Sequence, residues 1–281
     1  MRHHILETPQ GPVHYWVEGT GDECLFFTHG MTLTHHIFLP QLAYFKNRYT
    51  VILWDVPGHG ESRPYRSYNQ TECTHLMARI LKLEGFSKAH IIGESMGGYI
   101  AQEFAWRYPS KTQSLALVGG HPLGNEWYWP IERFAFKHVH QIIKMTPYFI
   151  VIGVTVAFSG IQDIGKETTR FSMLQHSKEE IRFIAKNVYQ DFLSFEESLP
   201  ISPNIPVGVF SGKWDLVGRL KRISHRWAKK NGYYTSTVPN ASHNVNIDNP
   251  HSFNQDFDYF LQEGMALMSY SEEDFIPVYS N

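Results

Sequence analysis

Short apolar runs alternate with stretches of helical periodicity along most of this chain. The runs that predict strands are residues 24–28, 49–54, 90–92, 114–120, 205–210 and 234–238. The stretches that predict helices are residues 71–85, 96–108, 217–230 and 250–265. Strands that alternate with helices form a mostly parallel sheet with helices on both faces. The looser alternation over residues 5–18, around a Pro-Gln-Gly-Pro turn, predicts an additional hairpin.

The alternation stops at His121 and resumes only after Leu199. The intervening residues are rich in aromatic side chains and in helical spacing, which predicts a helical lid over 121–199 inserted into the core. The core is then expected to comprise residues 1–120 and 200–268. Residues 269–281 are an acidic, aromatic tail to which the sequence assigns no role.

Composition excludes several classes of protein. The 281 residues carry a net charge of -2, which gives no reason to expect a nucleic-acid partner. The first residues lack the pattern of a signal peptide, and the two cysteines, Cys24 and Cys73, are expected to be reduced thiols of a cytoplasmic protein. The longest apolar run, residues 148–158, is too short to span a bilayer, so a buried helix or a pocket wall is expected there. A basic helix near 219–230 could dock on an anionic membrane, but packing of its apolar side on the sheet is favoured.

One turn carries candidate chemistry. Gly93-Glu94-Ser95-Met96-Gly97 follows an apolar run and opens a helical pattern. This is the nucleophile-elbow pattern, in which a serine on a sharp strand-to-helix turn projects its hydroxyl outward. Glycine at the two outer positions avoids the clash that a Cβ atom would make in so tight a turn. The motif predicts Ser95 as a nucleophile.

With this elbow in place, the chain resembles the α/β-hydrolase superfamily. Three further stretches match the pattern of that family in its chain order, namely His29-Gly30-Met31, residues 55–62, and the pair Gly212–Asp215 with Ala241–His243. The resemblance covers nearly all of the chain outside the predicted lid. It implies a fold of the α/β-hydrolase type, with an oxyanion loop at His29-Gly30-Met31.

A serine hydroxyl needs a base to remove its proton, and the base needs an acid to orient it. Ser95, Asp215 and His243 occur in the chain order that this fold uses. His243 is selected among 16 histidines because it lies between the last predicted strand and the last helix. Three other acids are less suited as partners, because Asp248 lies too close to His243 in sequence and Asp163 and Asp191 fall in the predicted lid.

Acyl transfer also requires donors for the negative charge that develops on the carbonyl oxygen. The backbone N–H of Met96 is predicted as one donor, and the resemblance implies the N–H of Met31 as the other. His29 is expected to brace the oxyanion loop, whereas His35 and His36 are expected to be solvated.

The predicted substrate is a small to medium hydrophobic ester, cleaved through an acyl-serine intermediate without a metal or organic cofactor. Pockets are mostly apolar, and the aromatic residues chosen from the lid as pocket wall are Trp127, Trp129, Phe134 and Phe149. The same triad could serve C–C, thioester, lactone or amide cleavage, and a non-catalytic ligand-binding protein on this fold remains open. Met96, where proline-specific peptidase relatives tend to carry a tryptophan, disfavours the peptidase alternative. The sequence does not predict an oligomeric state.

Overall fold

The computed structural model describes residues 1–217 and 219–267. Its strands are β1 (Arg2–Thr8), β2 (Gly11–Glu18), β3 (Cys24–Thr28), β4 (Thr50–Trp54), β5 (Ala89–Glu94), β6 (Thr112–Val118), β7 (Val207–Gly212) and β8 (Tyr234–Val238). Its α-helices are α1 (Leu39–Phe45), α2 (Gln70–Leu83), α3 (Met96–Arg107), α4 (Pro130–Met145), α5 (Tyr148–Ser159), α6 (Asp163–Leu174), α7 (Lys178–Leu193), α8 (Leu220–Asn231), α9 (Val245–Asp248) and α10 (Pro250–Leu267). The predicted tail 269–281 lies outside the described residues.

The strands form one sheet in the order β1-β2-β4-β3-β5-β6-β7-β8. The hairpin β1–β2 and the pair β2–β4 are antiparallel, and every later pair is parallel. All residues of β3, β4, β5 and β7 are buried. Parallel strands covered on both faces need apolar side chains on both sides, which accounts for the continuous apolar runs in the sequence. The predicted fold class is confirmed.

Helices pack on both faces of this sheet. One apolar core includes Met77 of α2, Phe104 of α3 and Trp227 of α8. The core on the opposite face includes Phe45 of α1 and Phe257 of α10. The basic helix α8 thus packs its apolar side against the protein, as predicted.

Helices α4 to α7 lie between β6 and β7 in the chain, within the segment predicted as a lid. They share a small apolar core of their own, whose members are Ile143, Ile152, Val156, Met173, Ile181 and Ala185. Met31, from the loop after β3, packs against this core. This contact places the four helices next to the candidate oxyanion loop.

The apolar run 148–158 forms α5, which is buried only in part and also supplies Val154, Thr155 and Phe158 to the wall of a cavity, so both expectations for this run hold for some of its residues. Ile152, Val156 and Ser159 are buried, but Phe149 is 75% exposed and Val154 is 52% exposed. A helix that is apolar on every side has no polar stripe to mark which side faces water. Its periodicity therefore could not predict which half packs against the protein.

Candidate active site

The turn between β5 and α3 holds Ser95 in a conformation that L-residues rarely adopt, with φ 49° and ψ −114°. A Cβ atom at Gly93 would lie 2.2 Å from the carbonyl oxygen of Gly97. A Cβ atom at Gly97 would lie 2.1 Å from the carbonyl oxygen of Thr28. The turn is therefore closed to any side chain at either glycine, and the strain at Ser95 is maintained by this packing.

Three side chains form a hydrogen-bonded chain at the carboxyl edge of the sheet. Ser95 Oγ lies 2.9 Å from His243 Nε2, and His243 Nδ1 lies 3.1 Å from Asp215 Oδ2. Asp215 comes after β7 and His243 after β8, so their meeting follows from the parallel sheet. Since a carboxylate only accepts, His243 donates from Nδ1 to Asp215, which leaves Nε2 to accept the proton of Ser95. The structure thus brings together the three residues predicted from the sequence.

The charges of these three hydrogen-bonded side chains favour proton transfer from Ser95 to His243. Burial lowers the pKa of His243, but the hydrogen bond and negative charge of Asp215 outweigh it, so the pKa lies above its ordinary value. Burial raises the pKa of Asp215, but the hydrogen bond and charge of His243 outweigh it, so this carboxyl has a lowered pKa. Asp215 therefore stays ionised and supports the positive form of His243.

Asp248, which the sequence set aside as the acid, holds the loop that carries His243. Its carboxylate accepts hydrogen bonds from the backbone N–H of Ser242 at 2.8 Å, Ile161 at 3.1 Å and Gln162 at 3.2 Å. Ser242 adjoins the histidine, whereas Ile161 and Gln162 form the turn between α5 and α6. A single carboxylate therefore joins the candidate base to the inserted helices. Of the other rejected acids, Asp191 accepts from Gln70 N and Asp163 begins α6.

The loop after β3 lies against the elbow. A Cβ atom at Gly30 would come within 2.2 Å of Glu94 Oε2 and 3.1 Å of Ser95 Cβ. Met31 and Met96 both line the space above Ser95. Met96 is the first residue of α3, so its N–H has no intrahelical acceptor. The two amides predicted as an oxyanion hole thus belong to residues that line the same cavity as Ser95.

Histidines near this loop have structural partners. His29 Nε2 accepts from Val56 N at 3.0 Å, and its Nδ1 donates to the Gly30 carbonyl at 2.8 Å. This fits the predicted bracing role. The expectation for His35 was wrong, because its ring is buried and lies 2.9 Å from Asp55 Oδ1, which also accepts from the His35 N–H. Asp55 thereby links the loop after β4 to the loop after β3.

A cavity of about 420 Å³ opens above Ser95. Its wall comes from the loop after β3, the elbow, α5, α6, α7 and the segment before α8. The residues that line it are Gly30, Met31, Leu33, Glu94, Ser95, Met96, Tyr99, His121, Val154, Thr155, Phe158, Ser159, Thr169, Val188, Tyr189, Leu216, Val217, Leu220, His243 and Asn244. Lysine and arginine do not occur among these described lining residues, so the cavity offers no fixed cation to an anionic group.

The four aromatic residues predicted as pocket wall lie elsewhere, which corrects that prediction. Trp129, Phe134 and Phe149 are 59%, 60% and 75% exposed. The indole of Trp129 lies 3.7 Å from the guanidinium of Arg219, which also pairs with Glu132. Trp127 packs at the edge of the main core and donates its ring N–H to Ser198 Oγ at 2.7 Å. Of the helices that carry these residues, α5 turns Val154 and Phe158 toward the cavity, whereas α4 contributes none of the described lining residues.

Glu94 is a candidate site residue that the sequence did not indicate. Its side chain is fully buried, lines the cavity, and neither carboxyl oxygen has a hydrogen-bond partner within the described chain. Burial raises its pKa to about 7, although the charge of His243 and the nearby Gly30 N–H act in the opposite direction. The only sequence signal was its place in the elbow motif, which does not specify where the side chain points.

His121 is a second residue of the cavity wall that the sequence did not indicate. Its Nε2 lies 2.7 Å from the hydroxyl of Tyr99, and its Nδ1 contacts the hydroxyl of Tyr128. Burial lowers the pKa of His121 to about 3, so the ring is neutral. It can therefore shape the cavity without adding a charge next to His243.

A possible metal-ligating group occurs away from the cavity. Ligand atoms of His3, His14 and Glu61 lie within 4.8 Å of one another, on β1, β2 and the loop after β4. None of these residues lines the cavity, so the group has no part in the candidate active site. Among the described helices, none is both long enough and apolar enough to cross a membrane.

Comparisons with known proteins support the fold described above. The family model of the α/β-hydrolase fold matches residues 24–135. A 2-hydroxy-6-oxononadienedioate/2-hydroxy-6-oxononatrienedioate hydrolase of Burkholderia vietnamiensis is 34% identical over 144 residues, which is 47% of this chain and 48% of the relative. A pimeloyl-[acyl-carrier protein] methyl ester esterase of Wigglesworthia glossinidia brevipalpis is 23% identical over 270 residues, 90% of this chain and 98% of the relative. Relatives that are a third identical are thus matched over about half of their length or less.

A solved structure shows the same fold over nearly the whole chain. A hydrolase from Pseudomonas aeruginosa superposes with a TM-score of 0.77 and 19% identity, covering 92% of this chain and 98% of the other. The architecture is therefore the α/β-hydrolase fold. The matching family model and this superposition both agree with the α/β-hydrolase fold that the sequence predicted.

Proposed function

We propose that this protein is a serine hydrolase that cleaves carboxylic esters of small to medium hydrophobic substrates. The observation that carries the proposal is the chain Ser95–His243–Asp215 at the base of a largely apolar cavity that has no lysine or arginine among its lining residues. An uncharged ester suits such a cavity. The relatives reported above include a methyl ester esterase, which supports ester chemistry.

The reaction we propose proceeds through an acyl-Ser95 intermediate. Ser95 Oγ attacks the carbonyl carbon as its proton moves to His243 Nε2, and the C–O bond to the alcohol then breaks as Nε2 returns the proton to the leaving oxygen. Water next attacks the acyl carbon with His243 again as the base, which releases the carboxylic acid and restores the serine. The N–H groups of Met31 and Met96 are the proposed donors to the developing oxyanion. These steps use protein groups and water alone.

The cavity argues for esters over the C–C cleavage that one relative suggests. That relative is named for a dienedioate, a substrate with two carboxylates. Carboxylates are usually bound by arginine or lysine, which the described cavity wall does not contain. The buried Glu94 would repel such a substrate once ionised. A neutral acyl group avoids both problems.

We also propose that the inserted segment 121–199 acts as a lid. Residues of α5, α6 and α7 line the cavity opposite the elbow, and α5 contributes Val154, Thr155 and Phe158. Asp248 and Asn244 bind this segment to the loop of His243. A shift of these helices would therefore alter access to Ser95.

The test is labelling by a fluorophosphonate probe, with hydrolysis of p-nitrophenyl esters of increasing acyl length. We expect labelling and turnover in the wild type, loss of both in Ser95→Ala, and a clear optimum in acyl length. Ser110→Ala, an equal change at an exposed serine, is the matched control and should behave as wild type. Turnover near wild type in folded Ser95→Ala would refute the assignment. A folded wild type that neither labels nor turns over would favour a ligand-binding protein.

A further inference from the structure

One half of α5 presents an entirely apolar surface to the solvent. The exposed residues of this helix are Phe149, Ile150, Gly153, Val154, Ala157 and Phe158. The apolar exposure continues along the chain, with Met145 at the end of α4 exposed by 85% and Ile161 after α5 by 38%. We call the exposed side of α5 with Met145 and Ile161 the α5 face. Contiguous apolar surface of this kind marks an interaction site.

The α5 face is continuous with the entrance of the cavity. Val154 and Phe158 are about half exposed, and both also line the cavity above Ser95. Leu216, which is 69% exposed, lines the cavity from the segment before α8. An apolar molecule leaving the α5 face therefore has an apolar path to the serine. A permanently bound protein on this face would obstruct that path.

The charges around the face suit an anionic surface. Over residues 130–174, which include α4, α5 and α6, there are five lysines and arginines against three acidic residues, a difference of +2. One of these acids, Glu132, is already paired with Arg219. Lys144, which adjoins Met145, is exposed, and so is Arg170 of α6, the helix that packs against α5. Exposed cations beside an apolar helix are the pattern of a helix that lies in a membrane interface.

We propose that the α5 face docks on the surface of a lipid bilayer and that the enzyme takes acyl esters of membrane lipids from it. At 12 residues, α5 is about 18 Å long, which suits a helix lying in the interface and not one crossing the bilayer. Phe149 and Ile150 enter the acyl region, the flanking cations meet anionic headgroups, and the acyl chain passes along Val154 and Phe158. The docking stands on the surface alone, whereas the choice of substrate rests on the proposed function.

Docking is tested by flotation of the full chain with vesicles of phosphatidylcholine and phosphatidylglycerol, and with phosphatidylcholine alone. The test variant is Phe149→Glu with Ile150→Glu, since both residues are exposed and neither lines the cavity. The control is Leu83→Glu with Ile5→Glu, which adds the same charge at exposed apolar positions on α2 and β1. We expect the test variant to bind vesicles at least about tenfold less, because two large apolar side chains leave the interface. The control and Ser95→Ala should bind as wild type.

Activity separates the two parts of the proposal. Hydrolysis of dissolved p-nitrophenyl butyrate should be the same in the test variant and the wild type, while hydrolysis of a long-chain p-nitrophenyl ester held in vesicles should fall about tenfold. Vesicle binding by a wild type that hydrolyses neither ester would support docking and refute the proposed function. A wild type that does not float with either vesicle would overturn docking. A test variant that floats as well as the wild type would also overturn docking. So would sedimentation velocity that shows a dimer for the wild type and a monomer for the test variant.

Discussion

Replacing Glu94 by glutamine should change the stability of the protein in a pH-dependent way. The unfolding free energy of Glu94→Gln, relative to that of the wild type, should be larger at alkaline pH than at acidic pH. The carboxyl is fully buried beside Ser95, and neither oxygen has a hydrogen-bond partner in the described structure. Ionising such a group is costly because burial removes it from water, and the nearby Gly30 N–H and the charge of His243 offset only part of this cost. Glutamine has nearly the same shape and does not ionise.

The magnitude follows from the pKa of Glu94. Burial raises it to about 7 from an ordinary value of 4.5. Between these values the folded chain holds a proton that the unfolded chain has lost, so stability falls as the pH rises through this window. At 1.36 kcal/mol per pKa unit, the wild type loses about 3 kcal/mol of unfolding free energy from this group by the time the pH exceeds 7. The Glu94→Gln variant does not incur this loss.

The assay is urea unfolding of both proteins at about pH 5 and about pH 8. Other titrating groups are common to both proteins, so their contributions largely cancel in the difference. We expect the stability of Glu94→Gln relative to the wild type to rise by about 2 to 3 kcal/mol between the two pH values. A relative stability that is the same at both values would refute the reasoning.

A contrasting control is Glu103→Gln. Glu103 is also fully buried, but it accepts hydrogen bonds from Gln70, Thr71 and Arg107. Removing its charge weakens an ion pair with Arg107 and should destabilise the protein at neutral pH. The same chemical change is therefore expected to have opposite signs at two buried glutamates, because only one of them has partners.

Three further changes test the geometry of the site. Gly93→Ala should lower the free energy of unfolding by about 2 kcal/mol or more and abolish activity, since its Cβ would lie 2.2 Å from the Gly97 carbonyl oxygen. A melting curve like that of the wild type would contradict this. Asp215→Asn should cut kcat/KM by about 10⁴-fold and move the acidic limb of the pH profile to lower pH, because the Asp215 carboxylate raises the pKa of His243. An acidic limb at the wild-type pH would show that the carboxylate does not raise this pKa. Asp248→Ala leaves three backbone amides without their acceptor, so it should lower the free energy of unfolding in urea by about 2 to 3 kcal/mol and also lower kcat. An unchanged unfolding free energy together with an unchanged kcat would exclude a role of Asp248 in holding the loop of His243.

The sheet, the elbow and the three residues around Ser95 were predictable because each is encoded locally. A buried parallel strand needs a continuous apolar run, and the elbow needs glycine at fixed spacing from the serine. The parallel order of β5, β7 and β8 then brings the ends of the strands to one edge, where Asp215 and His243 meet. Predicting these residues required only the order of the strands and helices in the chain and no knowledge of contacts between distant residues.

The walls of the cavity were not predictable, because they depend on how helices pack. An aromatic residue in α4 can face the cavity, the core or the solvent without any change in sequence. The sequence predicts Trp129 as pocket wall, yet its ring is exposed and the guanidinium of Arg219 lies over it. Glu94 was overlooked for the related reason that its burial results from the approach of Gly30, a residue of another strand's loop.

The sequence did not predict which side of α5 is exposed, and this exposure links folding to the proposed docking. A run of apolar residues normally signals burial, and burial supplies its stabilisation. Here Ile152 and Val156 are buried in the small core that α5 shares with α4, α6 and α7, and this burial stabilises the helix. Phe149 and Ile150 on the opposite side contribute little to that core, so polar residues there would fold as well. Their apolar character is therefore not explained by folding, and the proposed contact with a lipid surface at the mouth of the cavity would account for it.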